Sequence, residues 1–416
     1  IKNMNVETWC VYTNRTKAGA FRGFGVPQAT FAGESQIDEL AEKLNMDPFD
    51  LRMKNMVATD DKWLGGQNID HGTLPGCLKA VYEASNLRER PKQQKLDNNK
   101  WRGIGVSTSA HVSAVLSASA VVKLNEDGTI TINTGAVDIG EGADTILSQM
   151  AAETLGLHPD DITYTCTDSD TSPYNYQTAG SRTTYVVGTS VTQASVQVRN
   201  QIYKHASEML ESAESDLEIL PGSFVGVKGS PDARIPFSAV AGRALNQVGG
   251  PIVGMHSWLY HNTPFDKETA MIEGFALDGG GVFCFAAQVA VVDVDKDTGK
   301  VEVVEFWSAH DVGCAINPKS VEGQIFGGVV QGLGYALFEE LVWIDGQISN
   351  PSMMDYKVPG MNDVPYDIHA IILETQEKTG PFGARGVGEI PLNGVAPAIC
   401  NAIASATGAR VRTIPA

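Results

Sequence analysis

Glu389 has the clearest capacity for acid–base chemistry, because it ends the glycine knot K-T-G-P-F-G-A-R-G-V-G-E (378–389) and is followed by Ile390-Pro391. A carboxylate at such a loop-to-helix junction, beside small residues, can act as a general base if burial raises its pKa. The position also suits an acidic charge complementing a helix dipole, and from the residues alone that second role carries more weight. Arg22, between Phe21 and Gly23, can aim a guanidinium at an oxyanion or phosphate, or close a structural salt bridge. Phe24 can wall a flat substrate or belong to the core. His111, in S-T-S-A-H-V-S, lies in an apolar strand-like stretch and reads as a core or interface histidine. Asn14, Gln28, Gln324 and Gln331 are polar residues in apolar or Gly-rich surroundings, a pattern shared with ordinary turn residues.

Four glycine knots precede helical stretches: A-F-R-G-F-G-V-P-Q (20–28), D-I-G-E-G-A-D-T (138–145), Q-T-A-G-S-R-T-T-Y (177–185) and the 378–389 knot. A glycine-rich loop entering a helix presents unpaired backbone N–H groups at the positive end of a dipole, which suits an anion. None fits G-x-G-x-x-G after a strand or G-x-x-x-x-G-K-[ST], so a dinucleotide or P-loop nucleotide is not indicated. Together they suggest a large, anionic, many-armed cofactor held mainly by backbone groups.

The elements that must position these knots can be read in outline. Ile37, Leu40, Ala41 and Leu44 recur at helical spacing within 29–44, which predicts an amphipathic helix ending before N-M-D-P. The polar run from about 85 to 100 reads as a connector and a domain boundary. V-V-K-L-N-E-D-G-T-I-T-I-N-T-G predicts a hairpin about Asp127-Gly128. The 138–145 knot opens a helix closed by Gly156, and the 177–185 knot leads a helix to about Leu210. Strands are expected at 282–294 and 301–308, a Gly-rich helix at 318–340, and a last helix from about Val395 to Ala406, stopped by Gly408. Strands and helices alternate irregularly with hairpin turns, so the class is α+β with mixed sheets and packed helices. The expected domains are 1–95 and 101–416, the second as two α+β lobes of about 101–265 and 280–416.

The chain has 416 residues, 43% hydrophobic and 19% charged, with a net charge of −18 and 43 glycines. That composition builds a sizeable core and excludes disordered or fibrous classes. The acidic balance opposes nucleic acid and anionic membrane surfaces, which need clustered cations. No apolar run approaches the roughly 20 residues of a spanning helix. Without a signal sequence near residue 1, a cytoplasmic location is expected. Six cysteines stand far apart with no C-x-x-C, and eight histidines show no close ligand pair, so no metal held directly by protein ligands is indicated.

Taken as a set, the knots resemble a known family. A-F-R-G-F-G-V-P-Q, the stretch from Glu34 to Asn55 with D-P-F-D-L-R-M-K-N, D-I-G-E-G-A-D-T, A-G-S-R-T-T, N-P-K-S-V-E-G-Q-I-F-G-G-V-V-Q-G-L-G and G-A-R-G-V-G-E-I-P follow one another from about residue 10 to the C-terminus. In that order they resemble the molybdopterin-binding part of the xanthine dehydrogenase and aldehyde oxidase family of molybdenum hydroxylases. The resemblance implies roles by position. Glu389 matches the catalytic base; Arg22 and Phe24 match the arginine near the metal and the aromatic that packs against substrate. Gly180 matches a backbone position beside molybdenum, with Ser181, Arg182 and Thr183 next to the pterin. Gly23, Gly140, Glu141, Gln324, Arg385 and Gly388 match other cofactor-lining positions. The Ser107–Ser113 stretch, and with it His111, corresponds to the second wall of the substrate pocket. The family usually has Gln where this chain has Glu141, and a carboxylate there repels a cofactor phosphate unless it points away or is protonated.

The resemblance further implies that molybdenum is held by the pterin, plain or as a cytosine dinucleotide, and not by the protein. The implied reaction hydroxylates an electron-poor carbon with oxygen from water. Phe24 favours an N-heteroaromatic such as a purine or pyridine carboxylate; an aldehyde oxidoreductase is the alternative. A non-catalytic assembly or cofactor-insertion subunit is a third reading, opposed by the joint presence of Glu389, Arg22 and Phe24. Because the chain opens at Ile1 and the family's first molybdenum-domain segment is missing before it, it is expected to be one chain of a split enzyme or a fragment. The expected partners are a chain carrying that segment, an iron–sulfur subunit with 2Fe-2S clusters and a flavin subunit with FAD, assembled as a dimer of heteromers.

Overall fold

A computed structural model describes residues 5, 7–62, 69, 71–97, 99–113, 116–166, 168–259, 267–268 and 282–416. The inner edges expected for the two lobes, 265 and 280, lie outside the described residues.

The first helices are α1 (Val26–Lys43), α2 (Pro48–Asn55) and α3 (Leu74–Ala84). Pro27 and Pro48 sit in the first turns, where a missing N–H costs nothing, and the Asp47 side chain accepts the Phe49 N–H. The expected helix over 29–44 is present, but its inner face is not the apolar stripe: Leu40 and Leu44 are exposed, while Glu34, Ser35, Asp38 and Ala41 are buried. Ion pairing decides this orientation. Arg52 Nε lies 2.7 Å from Glu34 Oε2, Arg410 bonds Asp38 at 2.6 Å, and Thr108 donates to Glu34 Oε1 at 2.7 Å. Carboxylates with these partners are stable inside, and one of them left alone would not be.

β1 (Gln93–Lys95) and β2 (Lys100–Val112) follow, then the hairpin β3 (Ser117–Leu124) and β4 (Ile130–Thr134), α4 (Ala143–Leu155) and β5 (Ile162–Thr165). A π-helical turn at Thr183–Val187 runs into α5 (Gly188–Met209). β6 (Leu217–Leu220), β7 (Phe224–Val227) and β8 (Ser230–Pro236) form a small meander before α6 (Phe237–Arg243) and β9 (Val253–Leu259). The remainder is β10 (Phe283–Asp295), β11 (Val301–Asp311), α7 (Pro318–Leu337), the short pair β12 (Trp343–Ile344) and β13 (Gln347–Ile348), β14 (Asp367–Leu373), α8 (Ile390–Asn393) and α9 (Val395–Thr407).

Two mixed sheets carry the fold. One has the order β1-β2-β10-β11-β14, antiparallel except for the β11–β14 pair. The other has the order β5-β4-β3-β9, parallel only between β4 and β5, and packs on α4 and α5 through Ala118, Ala120, Val122, Leu147 and Val191. The chain is therefore α+β with mixed sheets, as its sequence indicates. β2, from the first half of the chain, pairs along its whole length with β10, and β10 is buried on both faces. Phe49, Leu78 and Val81 of α2 and α3 cover one face, so elements before and after the polar connector share a core. α9 covers the other face closely: a Cβ on Gly103 or Gly105 would lie 2.2 Å from the carbonyl oxygen of Ala402 or Ala398. That contact fixes the height of α8 and of the loop before it.

Candidate active site

The loop bearing Glu389 is anchored from below. Arg385, fully buried, puts Nη1 3.2 Å from Asp311 Oδ2 and Nε 3.3 Å from Glu377 Oε2. Its backbone N–H donates to the Val312 carbonyl at 2.8 Å, which ties the loop to the end of β11. Beyond this anchor the chain turns upward at Gly386, and Glu389 follows one residue before α8.

Three elements hold the Glu389 carboxylate. Oε1 accepts the Gly23 N–H at 3.2 Å; Oε2 lies 3.0 Å from His111 Nε2 and accepts from the Ser181 hydroxyl at 3.3 Å. The Ser181 oxygen in turn accepts the Glu389 N–H at 2.9 Å. Burial by itself would raise this carboxyl's pKa, but the hydrogen bonds from His111, Gly23 and Ser181 outweigh it and hold the group below the usual glutamate range. The condition that burial raise the pKa is thus not met: Glu389 is set up as a carboxylate that accepts hydrogen bonds. Gly23 must be glycine here, since its φ is +92° and a Cβ would fall 2.3 Å from Asn393 Oδ1.

Arg22 comes from the same turn as Gly23. Its Nε donates to the Gly388 carbonyl at 2.6 Å, Nη2 to Gln324 Oε1 at 2.9 Å, and Nη1 to Gln331 Oε1 at 3.4 Å. Burial lowers the guanidinium's pKa, and the Glu389 charge opposes that. The two glutamines stand two helical turns apart on α7 and hold the two ends of the guanidinium.

The 138–142 turn brings Gly140 and Glu141 to the opposite wall. The free backbone donors expected there are already engaged: Asp138 Oδ1 accepts from Gly140 N–H at 2.7 Å and Gly142 N–H at 3.3 Å, and Glu141 Oε2 accepts from Ile139 N–H at 2.7 Å. Burial and the neighbouring Asp138 carboxylate push the Glu141 pKa up, against the backbone hydrogen bond from Ile139. Its Oε1 is buried with no hydrogen-bond partner among the described residues.

These pieces surround a cleft of about 630 Å³, lined by Arg22, Phe24, Gly140, Glu141, Ser181, Arg182, Thr183, Gln324, Gly388 and Glu389 with Phe21, Gln331 and Val387. Phe24 is 58% exposed. Several expected residues serve from behind. Arg385 lies in the ion-paired anchor, and Gly23 and Gly180 shape turns with φ of +92° and +73°. Arg182 turns its guanidinium to Asn175 Oδ1 at 2.6 Å and the Ser117 carbonyl at 2.6 Å, with its pKa lowered to about 10 by burial. His111 touches the base and not the cleft wall. Asn14 and Gln28 play no part in the cleft lining, whereas Gln324 and Gln331 do. Sequence reasoning missed Asn393, one helical turn after Glu389, and the buried set of Gln288, Ser308 and His310. Ser308 Oγ lies 2.7 Å from His310 Nε2, and burial lowers that ring to about 3. Alternating small and polar residues in β10 and β11 were their only trace.

A large polar cofactor fits this lining. The cleft supplies a cation, two carboxamides and an unpartnered buried carboxyl oxygen, and beyond Gly140 there is open space where a side chain would meet nothing within 4 Å. No group of His, Cys, Asp and Glu among the described residues could hold a metal directly.

Comparison with known proteins agrees with this geometry. Models of the molybdopterin cofactor-binding domain match residues 1–56 and 79–365. The chain is 33% identical to a xanthine dehydrogenase molybdenum-binding subunit of Escherichia coli O157:H7, over 97% of this chain and 53% of that protein. It is 32% identical to the nicotine 6-hydroxylase large subunit of Paenarthrobacter nicotinovorans, over 94% and 48%. Among solved structures, quinoline 2-oxidoreductase from Pseudomonas putida 86 superposes with a TM-score of 0.82 at 27% identity, over 95% of this chain and 52% of that one. Aldehyde oxidoreductase from Desulfovibrio gigas superposes with a TM-score of 0.74 at 29% identity, over 94% and 40%. The chain spans about half the length of the relatives it matches. With family models covering most of its length and its four glycine knots gathered with α7 round one cleft, the chain belongs to the molybdopterin cofactor-binding domain family of the xanthine dehydrogenase type.

Proposed function

We propose that this chain is the molybdopterin-binding catalytic portion of a molybdenum hydroxylase, with Glu389 as its base. The observation that carries the reading is the Glu389 carboxylate, bonded by His111, Gly23 and Ser181, on the wall of a cleft lined by all four glycine knots and by Gln324 and Gln331 of α7. A C–H bond of the substrate and water would become C–OH, two protons and two electrons. Molybdenum–molybdopterin would supply the two-electron redox centre and acidify the water-derived oxygen. Glu389 accepts one proton at a carboxylate oxygen, and Arg22, forked by Gln324 and Gln331, balances negative charge beside it. Ser181 and Gly23 hold the carboxylate still so that no reorganisation is needed as it takes the proton.

The proposed substrate is a flat N-heteroaromatic, for which the exposed Phe24 ring at the cleft offers a stacking face. Relatives named for xanthine, nicotine and quinoline agree with that choice, while one named as an aldehyde oxidoreductase supports an aldehyde as the alternative. Electrons would leave to 2Fe-2S and FAD centres on partner subunits, with a further chain supplying the rest of the molybdenum domain. The pterin would be plain or a cytosine dinucleotide, and the assembly a cytoplasmic dimer of heteromers. No helix among the described residues is long and apolar enough to cross a membrane.

The test is Glu389→Gln in the complex reconstituted with its companion chains and assayed on purine, nicotinate and aldehyde substrates. Turnover should fall at least about a hundredfold with molybdenum content unchanged. Turnover within a few-fold of wild type would remove Glu389 from the chemistry and favour an assembly subunit.

A further inference from the structure

Behind Glu389 lies a buried imidazole that the proposed chemistry does not itself consume. His111 stands on β2 opposite Cys284 of β10, with its ring 5% exposed and Nε2 3.0 Å from Glu389 Oε2. An ionised carboxylate can only accept, so Nε2 must carry the proton of this bond. The Asn393 side-chain amide lies against the other edge of the ring, Nδ2 3.5 Å from His111 Nδ1. The ring is therefore a donor aimed at one carboxylate oxygen, with Asn393 on its far side.

The other groups around the carboxylate do not duplicate this. Arg22 gives its hydrogen bonds to Gly388, Gln324 and Gln331. Across the strand pair, the Cys284 thiol donates to the Gly386 carbonyl at 2.7 Å, and burial pushes its pKa up to about 11, so it adds no charge. Ser181 shares Oε2 at the longer distance of 3.3 Å, and Gly23 alone bonds Oε1. Oε2 is thus occupied twice and Oε1 once, through a 3.2 Å backbone contact.

We infer that His111 is the positioning residue of the proposed base: it pins Glu389 through Oε2 and leaves Oε1 as the oxygen that takes the proton. This rests on the reading of Glu389 as base. It also moves His111 from the substrate wall, where the family resemblance puts it, to a place behind the carboxylate.

The experiment compares His111→Leu and His111→Gln with Glu389→Gln in the reconstituted complex. Without the Nε2–H donor the carboxylate protonates more readily, so in His111→Leu the acid limb of the kcat/KM profile should move up by about one pH unit. At the acid end kcat should fall about tenfold with KM within about twofold. His111→Gln, which can still offer an N–H, should recover most of both. An independent readout is the infrared carboxylate band that disappears in Glu389→Gln: it should titrate at higher pH in His111→Leu than in wild type, with or without molybdenum loaded. An unmoved acid limb with an unmoved infrared titration overturns the inference, as does a raised KM with kcat intact, which marks a substrate contact. If Glu389→Gln itself keeps its turnover, the base reading falls; if Glu389→Gln is inactive while His111→Leu behaves as wild type, only the positioning role falls. Should His111→Leu fail to assemble, His111→Met, which also lacks the N–H donor, carries the same test: an infrared titration moved to higher pH supports the role, and one at the wild-type pH overturns it.

Discussion

Gly386 and Ser181 touch backbone to backbone: a Cβ on Gly386 would fall 1.7 Å from the Ser181 carbonyl oxygen. The two knots that flank the base are therefore one packed unit. Ser181 is held at φ +51°, where its hydroxyl reaches both the N–H and the carboxylate of Glu389. A left-handed serine is strained, and the contact with Gly386 is what enforces it.

Gly386→Ala should therefore part the two loops. Backbone cannot yield as a flexible side chain can, so a loss of about 1–3 kcal/mol in stability is expected. Molybdenum content should fall with it, since the cleft wall opens. Metal analysis and thermal unfolding of the reconstituted complex check this. Gly327→Ala, on an exposed face of α7 where an added Cβ meets nothing within 4 Å, is the control and should be neutral or stabilising by about 0.5–1 kcal/mol.

The knots were legible because a loop that must turn sharply against other backbone is written in glycine, and glycine is conspicuous. Helices after them were legible from period and from caps such as Gly156 and Gly408. What escaped was anything decided by partners distant in sequence. Leu40 and Leu44 looked like the inner face of α1, but Arg52 and Arg410 draw Glu34 and Asp38 inward. The residues alone left open which way the Glu389 pKa moves, and only the fold supplies the His111, Gly23 and Ser181 donors that lower it. Asn393 and His310 had no motif of their own.

Glu141 and Asp138 give a second prediction. The Glu141 pKa is raised from its ordinary 4.5, first by burial and then by the Asp138 charge. A carboxyl whose folded pKa is raised contributes stability that is fully present below its unfolded value and is lost as pH rises through the folded one. Glu141→Gln removes that loss, and its amide can still accept from Ile139 and donate to Asp138. The variant should unfold at a higher temperature than wild type at neutral pH, with the advantage fading as pH drops below about 4.5. Melting curves across that range check it; a constant difference at every pH would mean that the effect is packing and not charge.

Arg385 separates a cofactor role from a structural one. The family resemblance places it beside the cofactor, whereas its guanidinium lies under the loop, paired with Asp311 and Glu377, with both residues' carboxyl groups buried. Removing one member of a buried ion pair leaves its partners charged and unpaired, which costs about 3–5 kcal/mol. Arg385→Met should therefore lower the unfolding temperature of the chain whether or not molybdenum is loaded. Asp311→Asn and Glu377→Gln should each soften that effect when combined with it, because they remove the carboxylate charges left unpaired. A residue that only touched the cofactor would behave in the opposite way, leaving the cofactor-free chain as stable as wild type and weakening only cofactor retention. Thermal unfolding of loaded and unloaded complexes, with molybdenum analysis on each, distinguishes the two.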